Sequence, residues 1–196
     1  GAYVRARRLG SGALYLTPAF QDPKQPRYWF TDSQETLDRI TSGGMYVVEG
    51  TGWRAADDPE VRDALYEHLE DVATQQFEAT LRALDGSSDW RLLAFVFTLT
   101  DRVSHSFWRF HDPAAYAPLP PDELAASRTR VEDAYRWVDA HLASLLQRLP
   151  SDTTIFVLSD HGFQADPGSG HGNHRKEGIF LAAGPGIEPS GGAFAP

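Results

Sequence analysis

The sequence contains no cysteine among its 196 residues. Disulfides and thiolate metal sites are therefore excluded, and a bound metal would need Asp and His ligands. Lysine is scarce as well, because Lys24 and Lys176 are the only two, and the formal net charge is −9. A nucleic-acid groove relies on Lys and Arg to neutralise phosphates, so this acidic balance argues against one.

Long hydrophobic runs are also missing. No stretch approaches the length of a membrane span, and no signal peptide opens the chain. We therefore predict no membrane span in these residues and favour the cytoplasm over other locations, although no residue decides the location or the oligomeric state. The composition, 41% hydrophobic and 23% charged, is that of a globular chain long enough to bury a core.

Residues 1–90 are predicted to be an attached or insert-like segment that ends in a long helix. The pattern before residue 58 is irregular, with short apolar runs at Leu14–Leu16 and Met45–Val48 that could be strands. A short helix is predicted over Ser33–Ile40 between them. These elements do not define the place of this segment relative to the rest of the chain.

The long helix has a clear start and a clear end. Asp58 is a capping residue, and Pro59 occupies the first helical position. Apolar residues then recur at helical spacing from Val61 to Leu84, before Asp85 and the residues after it end the pattern. The pattern predicts one long amphipathic helix.

Residues 91–196 are predicted to be the C-terminal part of an α/β core. Three apolar runs of strand length are present at Leu92–Leu99, Thr154–Leu158 and Gly178–Ala183, and a second long helix is predicted over Asp122–Leu149. Continuous hydrophobicity is typical of strands that are covered on both faces of a parallel sheet. The predicted fold class is thus an α/β/α sandwich with a largely parallel sheet.

Asp and His residues lie next to each of the three predicted strands. Asp101 and His105 follow the first strand, Asp160 and His161 follow the second, and His174 precedes the third. Each pattern alone has a simpler explanation, such as a capping carboxylate or a packed histidine. Neighbouring parallel strands, however, bring their ends to one edge of the sheet, where ligands bind. The three patterns together therefore predict a metal site.

Three segments also resemble a known family. TDRVSHSFW, VLSDHGF and HRKEGIFLAAGPGI are similar, in this order and spacing, to the type I phosphodiesterase and nucleotide pyrophosphatase group of the alkaline phosphatase superfamily. LYLTPAFQDP and SGGMYVVEGTGW resemble bacterial members more loosely. The resemblance implies an alkaline phosphatase-like fold, a small phosphorylated substrate, hydrolysis of a phosphodiester or phosphomonoester bond, and two divalent ions, usually zinc, with manganese as an alternative.

The resemblance also implies a set of ligands. Asp101, His105 and His174 would hold one ion, and Asp160 and His161 would belong to the other. In the family, an upstream Asp and a Ser or Thr nucleophile complete the second site. Two ions suit this chemistry because phosphoryl transfer develops charge on both the attacking and the leaving oxygen.

The late histidine ligand, His174, has an alternative assignment. Gly170-His171-Gly172 resembles the Gly-x-His-Gly form found in nucleotide pyrophosphatases, so His171 could be the late ligand. His174 is preferred because its distance to the third predicted strand fits the bacterial pattern better.

The sequence departs from the family where the nucleophile should be. The first strand of the family, with its acidic ligand, and the helix start that bears the nucleophile are not found. We therefore expect an incomplete piece of the core that is inactive alone, and we assign no catalytic residue. Other members of the superfamily, such as a sulfatase or a phosphate-transferring mutase, and a non-catalytic metal-binding module of the same fold are the alternatives.

Overall fold

The computed structural model describes residues 2–4, 6–17, 20–21, 31, 33–42 and 58–188. The helices are α1 Gln34–Thr41, α2 Pro59–Asp85, α3 Leu99–His111, α4 Pro121–Ser127 and α5 Arg130–Leu146, with a short 3₁₀ turn at Pro113–Ala115. The strands are β1 Ala2–Tyr3, β2 Ala6–Arg8, β3 Leu14–Leu16, β4 Phe20–Gln21, β5 Ile155–Leu158, β6 Gly162–Asp166, β7 His171–Arg175 and β8 Phe180–Ala183. Among these residues, no helix is both long and apolar enough to cross a membrane.

The first two predicted helices are confirmed. Helix α2 begins at its predicted cap, Asp58, whereas Ser33, predicted to lie in the first helix, is instead its cap. The Ser33 hydroxyl accepts a hydrogen bond from the N–H of Thr36 at the start of α1. The Asp58 carboxylate accepts hydrogen bonds from the N–H groups of Glu60 and Val61 at the start of α2. These bonds satisfy N–H groups that have no partner within the helix. The strand at Leu14–Leu16 is also confirmed, whereas the run at 45–48 lies outside the described residues.

Helices α2, α3 and α5 share the main hydrophobic core. Helix α3 is the central element, because four of its apolar residues are at most 1% exposed. The packing buries one stripe of each helix, as the helical spacing of their apolar residues requires. The core cluster consists of Leu65, Tyr66, Leu69, Ala73, Leu99, Val103, Phe107, Phe110, Val131 and Ala134.

The predicted strand over 92–99 is wrong. Residues 92–98 have no helix or strand assignment, pair with no other described strand, and lead directly into α3 at Leu99. The side chains still alternate as they would in a strand: Leu93, Phe95 and Phe97 pack against a second apolar cluster, whereas Leu92 is 83% exposed. An extended segment becomes a ladder strand only when a partner strand satisfies its N–H and C=O groups, and no described segment does so here.

The second long helix is present but interrupted. Residues 122–149 were expected to form one helix, and the structure instead has α4 and α5, separated at Arg128 and Thr129. The Thr129 hydroxyl donates to the Asp133 carboxylate, 2.7 Å away, at the start of α5. This bond joins two side chains, and Thr129 makes no side-chain hydrogen bond to the backbone at the start of α5, so capping does not explain the interruption.

The prediction of a largely parallel sheet is also wrong for the described residues. All four strand pairs are antiparallel, namely β1 with β4, β2 with β3, β5 with β8, and β6 with β7. Strands β5 and β8 coincide with the second and third predicted strands, but they run in opposite directions. The apolar character of these runs predicts burial on both faces, and it carries no information about direction.

The Gly-rich sequence of residues 164–173 predicts a loop between these two strands, and this prediction is wrong. The segment is a hairpin, in which Gly162 pairs with Arg175 at one end and Asp166 pairs with His171 at the other. Pro167-Gly168-Ser169-Gly170 forms the connection. A Pro-Gly turn between two five-residue runs is a hairpin signal. The many glycines of this segment are also typical of a loop, so its sequence does not distinguish the two structures.

Candidate metal centre

Helix α3 supplies the first two side chains of the centre. Asp101 and His105 are one helical turn apart and lie beside the apolar stripe that faces the core. Asp101 is in the first turn, where the positive end of the helix dipole favours a carboxylate. The burial of the apolar stripe therefore fixes where these two side chains emerge.

The hairpin β6–β7, which packs against α3, supplies the third side chain. His174 lies on β7 opposite Phe163 on β6. The Phe163 ring stacks on Trp108 of α3 at a centroid distance of 5.6 Å and meets the His105 ring edge-on at 4.9 Å. These aromatic contacts hold the hairpin against the helix and place His174 beside His105.

His161 completes a cluster of four side chains. Its ring stacks on that of His174 at a centroid distance of 3.6 Å. The Nε2 atoms of His105, His161 and His174 lie 3.6, 3.6 and 3.5 Å from Asp101 Oδ1. Ligand atoms of Asp101, His161 and His174 all lie within 4.8 Å of one another. One carboxylate oxygen thus faces three imidazole nitrogens.

Backbone carbonyls orient two of the rings. His105 Nδ1 lies 3.0 Å from the carbonyl oxygen of Gly172, and His161 Nδ1 lies 3.1 Å from that of Gly162. A carbonyl can only accept, so each Nδ1 must carry the proton and donate it. Each neutral ring then presents the lone pair of Nε2 to the cluster, which is the arrangement that metal-ligating histidines use.

The Asp101 carboxylate is oriented in a similar way. Arg102 Nη1 donates to Asp101 Oδ2 at 3.0 Å, whereas Oδ1 is buried and has no hydrogen-bond partner. A buried acceptor without a partner is costly, and here it faces the Nε2 lone pairs of His105 and His161, while His174 Nε2 lies 2.9 Å from His105 Nε2. A bound cation would satisfy both kinds of atom, so this donor set fits a divalent metal ion.

Burial also affects the protonation of the cluster. It lowers the pKa of His105, and this effect outweighs the hydrogen bond to the Gly172 carbonyl and the charge of Asp101, which both favour the protonated ring. A lowered pKa keeps the ring neutral near pH 7. A metal ligand must be in this state.

Four of the five predicted ligands therefore come together, and the fifth lies at the edge. The Asp160 side chain is 90% exposed, and its Oδ1 lies 3.6 Å from His161 Nε2. The competing residue His171 pairs with Asp166 at the far end of the hairpin and is not among the clustered side chains. The structure does not separate the histidines into two groups, because His161 lies as close to Asp101 as His174 does.

Sequence reasoning missed the residues that orient these ligands. Arg102 and Gly172 make their contacts through a guanidinium and a backbone carbonyl, and neither belongs to a recognisable ligand pattern. Phe163 follows the Asp-His-Gly motif and was read as part of the strand exit. A Pro-Gly hairpin next to a histidine pair is the signal that could have pointed to Gly172.

An Asp and three histidines at the junction of a helix and a hairpin form a donor set suited to a hard or borderline divalent metal. The family model for type I phosphodiesterase / nucleotide pyrophosphatase matches residues 11–177 of the 196-residue chain. The chain therefore belongs to this family, a family of phosphoester hydrolases typified by alkaline phosphatase-like α/β folds and small phosphorylated substrates. No curated protein and no solved structure matches the chain.

Proposed function

We propose that this chain carries the metal-binding part of a hydrolase that cleaves phosphodiester or phosphomonoester bonds with two divalent ions, zinc by preference and manganese as the alternative. The observation that carries the proposal is the buried Asp101 Oδ1, which has no hydrogen-bond partner and faces three imidazole Nε2 atoms at 3.5–3.6 Å. The family membership supplies the class of bond.

The five residues divide between the two ions as follows. Asp101, His105 and His174 hold one ion, and Asp160 and His161 contribute to the other. When bound, the ions would neutralise charge on the attacking and leaving oxygens of the phosphoryl group. The division between two ions follows the family resemblance, and the stacking of His161 on His174 brings members of the two sets next to each other.

The remaining residues prepare the ligands for this role. Arg102 holds one carboxylate oxygen of Asp101, so that the other points to the imidazoles. The Gly172 and Gly162 carbonyls fix the protonated Nδ1 atoms of His105 and His161. The Phe163 ring, which stacks on Trp108, meets the His105 ring edge-on and supports its position.

A hydroxyl nucleophile is proposed to come from outside the described residues. The Ser or Thr at a helix start that serves as nucleophile in the family is not recognised in the sequence. A second candidate function is therefore a metal-binding module of this fold without turnover. The presence or absence of hydrolysis separates the two candidates once the nucleophile is supplied.

The test compares metal content and turnover. We expect the purified chain to retain zinc or manganese, and Asp101→Ala and His105→Ala to lose most of it, since each removes a ligand from the centre. His68→Ala is the control, because His68 lies on α2 among the residues that face β2 and β3. Elemental analysis of the dialysed proteins measures the effect, and equal metal content in all four proteins would contradict the assignment.

The same samples test the proposal about the nucleophile. We expect no hydrolysis of a bis-aryl phosphate by the 196-residue chain with zinc or manganese added. Metal-dependent release of the phenolate that is lost in Asp101→Ala would show that the chain contains its own nucleophile.

A further inference from the structure

Strand β7 approaches helix α3 at a glycine. A Cβ atom built on Gly172 would lie 2.7 Å from the Cβ of Trp108 and would also overlap the carbonyl oxygen of Ser104. Both atoms belong to the ligand-bearing helix, and one of them is backbone, so neither can move aside cheaply. Any side chain at position 172 would push the strand away from the helix.

The close approach at Gly172 acts on two ligands. Residues 172 and 174 lie on the same face of β7, because successive side chains of a strand alternate between faces. The contact that seats Gly172 on α3 therefore also turns His174 toward Asp101. In addition, the Gly172 carbonyl accepts the Nδ1 proton of His105, so its position determines the orientation of that ring.

Tyr116 holds the other end of the same hairpin. Its hydroxyl donates to the carbonyl oxygen of His171 at 2.7 Å and accepts from the N–H of Asp166 at 3.1 Å. Asp166 and His171 are the last paired residues before the turn. Tyr116 directly follows the 3₁₀ turn after α3, so its hydroxyl ties the hairpin to the element that carries Asp101 and His105.

We propose that Tyr116 and Gly172 are positioning residues of the metal centre, which seat the hairpin β6–β7 on α3 and so aim His174 and His105 at Asp101. This inference rests on the proposed function. Neither residue touches the metal or the substrate, and each acts through the hairpin.

Two substitutions test the proposal, each with a matched control. Tyr116→Phe removes the hydroxyl and keeps the ring, and Tyr15→Phe makes the same change in the hairpin β2–β3. Gly172→Ala adds the clashing Cβ, and Gly168→Ala adds a Cβ in the turn of the same hairpin, where it would meet only Asp166 Oδ1 at an ordinary 3.5 Å. Far-UV circular dichroism and urea unfolding identify any variant that does not fold, and Tyr116→Phe decides the question if Gly172→Ala fails to fold.

The first readout needs no metal. Long-range ¹H–¹⁵N correlation spectra of the histidine rings, recorded with a chelator present, report which nitrogen of His105 carries the proton. We expect the wild type and both controls to show His105 protonated on Nδ1. Gly172→Ala and Tyr116→Phe should shift its ¹⁵N resonances toward a mixture of the two tautomers, because the acceptor carbonyl has moved.

The second readout is the affinity for Zn²⁺, with the absorption spectrum of the Co²⁺ form as a signature of ligand geometry. Outer-shell partners of metal ligands are typically worth about 10–100-fold in affinity. We expect about 10-fold weaker binding for Tyr116→Phe, a larger loss for Gly172→Ala, altered Co²⁺ bands in both, and no change in the controls. Folded variants with unchanged ring resonances, affinity and Co²⁺ bands would overturn the proposal. If the wild type binds no metal, the proposed function fails, and the ring resonances alone decide the positioning role.

Discussion

The helix α3 with its hairpin and the ladder β5–β8 both lead to the same cluster, yet they are packed in opposite ways. Helix α3 buries Phe107 and Phe110 completely, and the hairpin contacts it closely enough to require Gly172. In the ladder, Phe156 is 56% exposed and Phe180 is 54% exposed, although the sequences of both strands are as apolar as a buried core. Within the described residues, the geometry of the candidate centre therefore depends on the helical layer and its hairpin rather than on the sheet.

This difference also shows what apolar content alone can establish. Burial stabilises in proportion to the apolar area removed from water, about 25 cal/mol per Å². An apolar side chain that stays exposed contributes little of this. The two regions have similar side chains, and their different contributions come from what covers them.

The largest expected effect is a difference in unfolding free energy between the same substitution, Phe→Ala, made in each of the two regions. Phe107→Ala should lower the free energy of unfolding by about 3–5 kcal/mol, because it leaves a cavity in a fully buried site. Phe156→Ala should cost less than about 1 kcal/mol, because much of this ring is already in water. Urea unfolding of both variants measures the difference. Similar losses would mean that the ladder is covered in solution, and the contrast between the regions would disappear.

A second prediction concerns the open face of the ladder itself. The Phe156 and Phe180 rings lie on the same face, 6.0 Å apart, and Leu158 beside them is 65% exposed. Phe180→Ser should reduce the fluorescence of a bound hydrophobic dye, because exposed apolar patches bind such dyes. The free energy of unfolding should change by less than about 1 kcal/mol.

Asp139→Ser, an exposed polar position on α5, is the control for that measurement. It should leave dye fluorescence unchanged. A wild-type protein that binds no dye would show that this face is not accessible in solution.

The same contrast explains which parts of the fold were predictable. Helix α2 was predicted with both ends because Asp58, Pro59 and the helical stripe are local signals. The run at 92–98 has the composition of a strand, but strand pairing depends on a second segment. Only the alternating burial of its side chains agrees with the predicted strand. Strand direction for β5 and β8 is likewise a property of the pair and not of either run.

The candidate site also has parts that local sequence signals predict and parts that depend on contacts between distant segments. Asp101 and His105 could be placed together from sequence, because they are one turn apart on a single helix. His174 reaches them only through the hairpin register and the close contact at Gly172, which no local pattern encodes. The exposed position of Asp160 could not be read from its motif, since a residue beside a ligand shares its sequence signal without sharing its orientation.

The smallest expected effect concerns the protonation of His105 in the metal-free protein. Burial lowers its pKa below the ordinary value of about 6.5, which the unfolded chain retains. Above that value the ring is neutral in both states, and its contribution to stability is fully present. As the pH falls from about 7 towards 5, the unfolded chain takes up the proton first, so the folded state loses stability. His105→Gln should therefore show a smaller loss of unfolding free energy over this range than the wild type. Urea unfolding with a chelator present, at several pH values and with His68→Gln as control, measures the two slopes. Parallel curves for the wild type and His105→Gln would mean that the imidazole is not desolvated in solution, and that the hairpin does not cover helix α3 as closely as Gly172 requires.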